Sequence, residues 1–204
     1  GERIVEACLR ALRGERFVEL SDSYMPSLSL PREPRNPVIA ITPISYGCLG
    51  SCAYCCVRFA RGRLRSYPIG EIVEFVRRRL SEGAREVWLT AQDTGCYGLD
   101  IGESLPKLIR AVCKIEGGFY VRVGMMNPGR AAGMLPELLE AYRSPKVFKF
   151  AHLPVQSGDD RVLRLMNRPY SAEEFRKVAL AFRSEFPECS IATDVICGFP
   201  GEDA

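Results

Sequence analysis

From Val38 onward, short runs of β-branched and aromatic residues alternate with amphipathic stretches of helical period, and the alternation repeats five times. "VIAITPIS" predicts a first strand, and 69–80 a helix with Ile72, Val73, Val76 and Leu80 on one face and arginines on the other. "EVWLTAQ" predicts the second strand and 104–115 the next helix. "FYVRVGM", "VFKFAHLPV" and "SIATDVICG" supply three more strands, separated by helices near 135–142 and 172–186. Consecutive strands joined through a helix run parallel, with right-handed crossovers. The order therefore predicts an α/β fold, either an open doubly wound sheet or a (β/α) barrel, whole or partial. In both architectures chemistry gathers at the carboxyl ends of the strands.

Ahead of this region, Ile4, Val5, Cys8, Leu9 and Leu12 fall at helical spacing, with Gly14 placed to end the helix, and a brief apolar run follows at 17–20. "SYMPSLSLPREPRNP" then carries four prolines in fifteen residues. Proline fixes φ and withholds a donor, so this stretch predicts a strap rather than helix or central strand. We expect a division into residues 1–37, the end of a preceding domain plus linker, and residues 38–204, the main domain. The opening without methionine and the final "CGFPGEDA" suggest a fragment of a longer chain.

Hydrophobic residues make up 47% and charged residues 26% of the 204, which suits a folded globular protein rather than disorder. No run approaches the roughly 20 apolar residues of a membrane span, and the N-terminus does not resemble a signal peptide. Nine cysteines without such a signal favour metal or redox chemistry over a disulfide framework, so a cytoplasmic location is expected. A net charge of +3 argues for no polyanion by itself.

Chemistry-bearing residues follow each predicted strand: a cysteine run after the first, Gln92, Asp93 and Thr94 after the second, Asn127 after the third, Gln156 and Ser157 after the fourth, and 198–202 after the fifth. The cysteines constrain most. Cys48, Cys52 and Cys55 read C-x3-C-x2-C, with Cys56 adjacent. A structural zinc needs a fourth ligand, commonly from a second pair. The chain offers only the distant His152, or Cys56, whose neighbour Cys55 points the opposite way in an extended loop. Three thiolates suit a [4Fe–4S] cube with one iron left open for an exogenous ligand. Tyr54 beside Cys55 offers a flat surface for a purine.

C-x3-C-x2-C with an aromatic before its last cysteine, after the first strand of a (β/α) domain, resembles the radical S-adenosylmethionine (SAM) superfamily. "GCLGSCAYC", "ARGRLRSYP", "VWLTAQDTGCYG", "RVGMMNP", "HLPVQSGDDRVLRLMNRPYS" and "TDVICGFPGE" are similar, in order, to the radical SAM core of the methylthiotransferases. "QDT", "VGMMNP" and the ARGxLxSYP pattern look most like the archaeal and eukaryotic type that acts on threonylcarbamoyladenosine in tRNA. The resemblance runs from about residue 39 to 202. It implies a partial (β/α)6 barrel with five of its six strands present.

The resemblance further implies a [4Fe–4S] cluster on Cys48, Cys52 and Cys55, with SAM on the open iron. An electron from a donor protein breaks the sulfonium bond to give a 5′-deoxyadenosyl radical, which abstracts hydrogen from adenosine C2. A methylthio group then arrives from a second [4Fe–4S] cluster, held in such enzymes by an N-terminal domain that this chain lacks, so this chain alone is expected to be incompetent for the full reaction. Gln92 and Asp93 stand where superfamily members contact the SAM amine, although the usual Gly-Gly-Glu form is missing here. Asn127 and Gln156 would orient ribose or substrate, or simply make turns, and Ser157 or Asp159 would cap the next helix. Arg122 either lines the barrel interior and meets a carboxylate or faces outward as a surface arginine. Gly198 and Gly201 would admit the adenine edge close to the backbone, or form a plain turn. His152, Cys96 and Cys197 read as ordinary core or bystander residues.

Arg61, Arg63 and Arg65, with Arg58, crowd just beyond the cysteines, where they would contact tRNA phosphates or form a solvated face. Two other readings compete with the radical SAM core: a zinc-containing RNA-binding module, and a radical SAM enzyme with a different substrate.

Overall fold

The computed structural model describes residues 3–19, 25–30 and 36–203, and the chain forms two compact units, residues 1–32 and 33–204. In the first unit, helix α1 (Ile4–Leu12) ends on Gly14, whose φ of 73° is the left-handed conformation that glycine adopts without penalty. The guanidinium carbons of Arg3 and Arg10 lie over the Phe17 ring, 5.0 and 5.3 Å from its centroid. Leu20, Pro31 and Pro34 of the expected apolar run and strap lie outside the described residues.

The second unit carries the predicted alternation in full, with smaller elements added. In order these are β1 (Ile39–Pro43), β2 (Ser45–Tyr46), α2 (Val57–Arg61), β3 (Arg65–Ser66), α3 (Ile69–Ser81), β4 (Glu86–Thr90), a 3-10 turn (Thr94–Cys96), α4 (Leu105–Cys113) and β5 (Tyr120–Val123). Then come α5 (Pro128–Gly133), α6 (Leu135–Tyr142), β6 (Phe150–His152), α7 (Asp160–Leu165), α8 (Ala172–Glu185) and β7 (Ser190–Ala192). The helix ends are written locally. Arg78 and Arg79 face the carbonyl end of α3, Pro106 and Pro136 sit in the first turns of α4 and α6, and Ser171 and Glu174 form a reciprocal capping box on α8.

β1 pairs in parallel with β4, and β4 with β5; β6 pairs in parallel with β7. A parallel bridge from Val121 to Val147 and a hydrogen bond from Met126 N to His152 O (2.9 Å) join the two sets. The principal strands thus stand side by side in chain order. A doubly wound sheet would reverse its order at a switch point, so this sequential wall is a partial (β/α) barrel.

Period-2 burial divides the two faces of the wall. Ala40, Thr42, Val87, Leu89, Val121 and Val123 are buried, on the face covered by helices packed α3 on α4, α4 on α6 and α6 on α8. Phe75 joins Ile72 and Val76 as a buried residue of α3, while Val73 and Leu80 are only half-buried, because the covered stripe is rotated from the one the spacing suggests. The opposite, inner face aligns Ile41, Trp88 and Arg122 in one row by strand register.

Candidate radical SAM cluster site

The cysteines occupy a loop that the backbone frames on both sides. β2 and β3 pair antiparallel, Ser45 with Ser66 and Tyr46 with Arg65, so 47–64 is an excursion closed at its base. Gly47 makes the closure possible. Its φ is 74°, and a Cβ there would sit 2.1 Å from the Arg63 carbonyl oxygen. The ribbon is fixed in turn to the segment after β4: Gly98 N donates to Ser66 Oγ (2.9 Å), Ser66 N to Asp100 Oδ2 (2.8 Å), and the Tyr97 hydroxyl to Tyr67 O (2.8 Å).

Within the loop Cys48, Cys52 and Cys55 line one cavity of about 230 Å³ together with Gly50, Ser51, Ala53, Arg58 and Phe59. Gly50 lies between two of the thiols. A Cβ on it would stand 3.3 Å from Cys48 Sγ and 3.6 Å from Cys52 Sγ, and its N–H donates to Cys48 Sγ at 3.2 Å. Burial pushes the Cys48 thiol upward, with Asp93, Cys52 and Cys55 adding to the shift. Cys56 is exposed, at the start of α2, and does not line the cavity. Among the described residues no group of three or more thiols, imidazoles and carboxylates is arranged to hold a single metal ion. Zinc would draw its sulfurs to about 2.3 Å from one centre. A cube takes its three thiolates at three separate irons, which asks for wider spacing around a shared hollow.

The far side of the loop is held by the segment after α7. Ala53 N donates to Met166 O (3.0 Å), and Asn167 Nδ2 to both Ser51 O and Ser51 Oγ (2.8 Å each). Arg168 follows, its Nη1 3.3 Å from Cys52 Sγ, its Nε on the Tyr170 hydroxyl (2.8 Å) and its Nη2 on Pro154 O (3.0 Å). Burial opposes the Arg168 charge, but Tyr170, Cys52 and Tyr54 outweigh it and hold its pKa above the ordinary arginine value. Neither Asn167 nor Arg168 stood out in the sequence. Their side chains meet partners 116 residues away, and "MNRPY" has no spacing that announces it.

The other predicted site residues occupy the same rim in differing states. The Tyr54 ring meets Phe199 edge to face, centroids 6.5 Å apart, bringing the "CGFPGE" turn against the cysteine loop, and burial pushes its phenol upward. Gln92 is half-buried, and its Oε1 is buried without a protein hydrogen-bond partner. Asp93 is 7% exposed and already engaged: Oδ1 accepts from Gly95 N (2.9 Å) and Asn127 N (3.0 Å), and the Cys96 thiol lies 3.1 Å from Oδ2. Asn127 caps α5 through Oδ1, which accepts from Gly129 N at 3.0 Å. Gln156 has φ 69°, an uncommon state for a non-glycine residue, held by Gln156 N donating to Asp194 O and Ile196 N donating to Gln156 O. Gly198 is left-handed, and the space where a Cβ would stand is open.

Arg122 belongs to the inner face, and its guanidinium carbon lies 5.0 Å from the Trp88 ring centroid and 4.7 Å from that of Phe150. Two aromatic faces, rather than an acid, receive its charge. His152 Nε2 is 2.9 Å from Asp194 Oδ2. Among the arginines, Arg58, Arg61 and Arg63 are exposed, whereas Arg65 is half-buried in β3 with Nη2 donating to Arg61 O (3.2 Å).

Residues 42–204, most of the chain, match the radical SAM superfamily. The chain belongs to that superfamily. Among solved structures, the radical SAM methyltransferase TsrM of Kitasatospora setae superposes on 91% of this chain and 35% of its own, with TM-score 0.61 at 15% identity. That likeness supports the partial barrel. Curated relatives carry higher identity. The probable threonylcarbamoyladenosine tRNA methylthiotransferase of Pyrococcus abyssi is 49% identical over 99% of this chain, and the threonylcarbamoyladenosine tRNA methylthiotransferase of Danio rerio 42% over 98%. The chain spans 48% and 38% of those two relatives. Radical SAM membership brings a [4Fe–4S] cluster and SAM, and the cavity shared by three thiols beside Gly50 fits the cluster.

Proposed function

We propose that this chain is the radical SAM core of a tRNA methylthiotransferase that acts, as part of a longer protein, at C2 of threonylcarbamoyladenosine. The convergence of Cys48, Cys52 and Cys55 on one hollow carries the reading, and the names of the relatives support the choice of substrate. Cys48, Cys52 and Cys55 hold the cluster as thiolates, and Cys56 stays outside. With SAM bound, the centre supplies reductive cleavage of the sulfonium C–S bond. The sulfur would come from a second [4Fe–4S] cluster held by residues of the longer protein outside this chain.

The chain's own residues orient and enclose these groups. Gln92 Oε1, a buried acceptor without a protein partner, would accept from the SAM ammonium, which would remove an unpaired cost of about 1–3 kcal/mol. Asp93 locks the loops after β4 and β5 together, and Asn127 fixes the start of α5 beside them. Tyr54 and the open backbone at Gly198 flank the adenine, while Gln156 and Arg122 shape the lumen that receives the target nucleoside. Arg61 and Arg63 contact tRNA phosphates, with Arg65 bracing Arg61 from below. The setting is cytoplasmic, with a low-potential electron donor protein as partner; among the described residues no helix is long and apolar enough to cross a membrane.

Anaerobic reconstitution with iron and sulfide, then reduction in the presence of SAM, tests the core assignment. We expect a brown protein that releases 5′-deoxyadenosine, with cluster loading lost on Cys48→Ala, Cys52→Ala or Cys55→Ala and kept on Cys56→Ser. A colourless zinc protein would end this reading. The full-length enzyme, assayed on tRNA with and without the threonylcarbamoyl group, tests the substrate; equal turnover of both would point to a different radical SAM reaction.

A further inference from the structure

The segment that clamps the cysteine loop ends in a cation set directly on one of the three thiols. We propose that Arg168 is a positioning residue for the iron–sulfur centre, donating a hydrogen bond to the Cys52 thiolate and using its charge to favour the reduced state. This rests on the cluster assignment above.

The guanidinium is aimed from several directions. Nε donates to the Tyr170 hydroxyl (2.8 Å), and Nη2 to Pro154 O (3.0 Å). Tyr170 is itself anchored, its hydroxyl within 3.0 Å of both Pro154 O and Val155 O. With those contacts made, the planar fork has one orientation, and Nη1 comes to 3.3 Å from Cys52 Sγ. Neighbouring contacts fix the height of the fork over the loop, through Asn167 on Ser51 and Met166 on Ala53. Lysine could supply a charge here but could not hold these three directions together.

The partners that orient Arg168 are a phenol and a carbonyl, both neutral, so neither cancels the cation. Reduction by an external one-electron donor adds one electron to the cluster and transfers no proton, leaving the centre one unit more negative. A half-buried cation against a ligand sulfur stabilises that state, and N–H donation to the sulfur acts in the same direction. Arg168 therefore makes the cluster easier to reduce, the step on which SAM cleavage depends. Its role is exerted through Cys52, without contact with substrate.

The test uses full-length wild type, Arg168→Gln and Arg168→Lys, each reconstituted anaerobically. Iron and sulfide are quantified, and reduction is followed by electron paramagnetic resonance at fixed ambient potentials without SAM. Arg168→Gln should keep its iron and show a reduced-to-oxidised ratio about tenfold lower at a given potential, equivalent to about 59 mV for a one-electron couple. Arg168→Lys should fall between that variant and wild type. If Arg168→Gln fails to load, an Arg168→Lys protein that loads with a ratio about two- to tenfold below wild type supports the proposal, and a ratio unchanged from wild type or more than about tenfold lower overturns it. An unchanged ratio in a loaded Gln variant, equal drops in Gln and Lys, or failure of both to bind iron would also overturn it. Wild-type enzyme that binds no cluster would instead remove the cluster assignment itself, so the two failures are distinguishable.

Discussion

The Asp93 carboxylate sits almost out of solvent, yet two backbone N–H groups and a thiol converge on it. One of those amides lies 34 residues further along, so the carboxylate joins the loops after β4 and β5 at one point. Asp93→Ala orphans both amides, and we expect a loss of about 1–3 kcal/mol for each that water cannot reach, read as a lower urea midpoint in equilibrium unfolding. Asp159 gives a contrasting case at the surface. Its Oδ1 accepts from Arg161 N (2.6 Å) and Val162 N (3.1 Å) at the start of α7, and these hydrogen bonds hold its carboxyl below the usual aspartate value. A folded-state pKa depressed in this way gives stability that is present above the unfolded value and lost as pH falls through the folded one. Asp159→Asn should therefore lower stability at neutral pH, where the carboxylate contributes, and converge with wild type at low pH, flattening the acid limb, a comparison that thermal unfolding across pH 2–7 makes directly.

At the scale of elements, the two-residue strands β2 and β3 matter beyond their length, because they close the excursion that carries the cysteines. Gly47→Ala would place a methyl at 2.1 Å from the Arg63 carbonyl oxygen while requiring a left-handed alanine. We expect a cost of at least about 2 kcal/mol and iron loading reduced several-fold after reconstitution, measured by metal analysis. Such ribbons were illegible in the sequence, since two residues carry no period. The long elements were legible. α3, α4, α6 and α8 lie where the sequence predicts them, and every predicted strand is present, shortened to the residues that register with a neighbour. The βα order alone left open whether the strands formed a barrel or a doubly wound sheet, because neighbour order is a tertiary fact; the resemblance carried by the motifs pointed to the barrel that is found. The same limit applied to Arg122, whose partners Trp88 and Phe150 come from two other strands. C-x3-C-x2-C was readable because its spacing is local; Arg168 was not, because its relation to Cys52 exists only after folding.

For the barrel unit as a whole, β1 pairs only with β4 and β7 only with β6 among the described residues, so the wall presents two edges with free backbone donors and acceptors. Ile41 on the inner face is 60% exposed, and Val195 just past β7 is 57% exposed. Apolar surface beside open strand edges invites pairing between copies. The 204-residue chain on its own should show mass rising with concentration in sedimentation experiments, and Ile41→Lys should shift it toward monomer; a wild-type chain that stays monomeric at high concentration would contradict this. Finally, the clamp on the cysteine loop has a consequence for biosynthesis. Residue 52 leaves the ribosome 116 residues before its partner at 168, an interval on the order of ten seconds at ordinary elongation rates. During that interval the thiols lack the clamp. Nascent chains halted before residue 166 should remain open to alkylation at Cys52, and chains extended past β7 should be shielded, so cofactor insertion belongs late in synthesis.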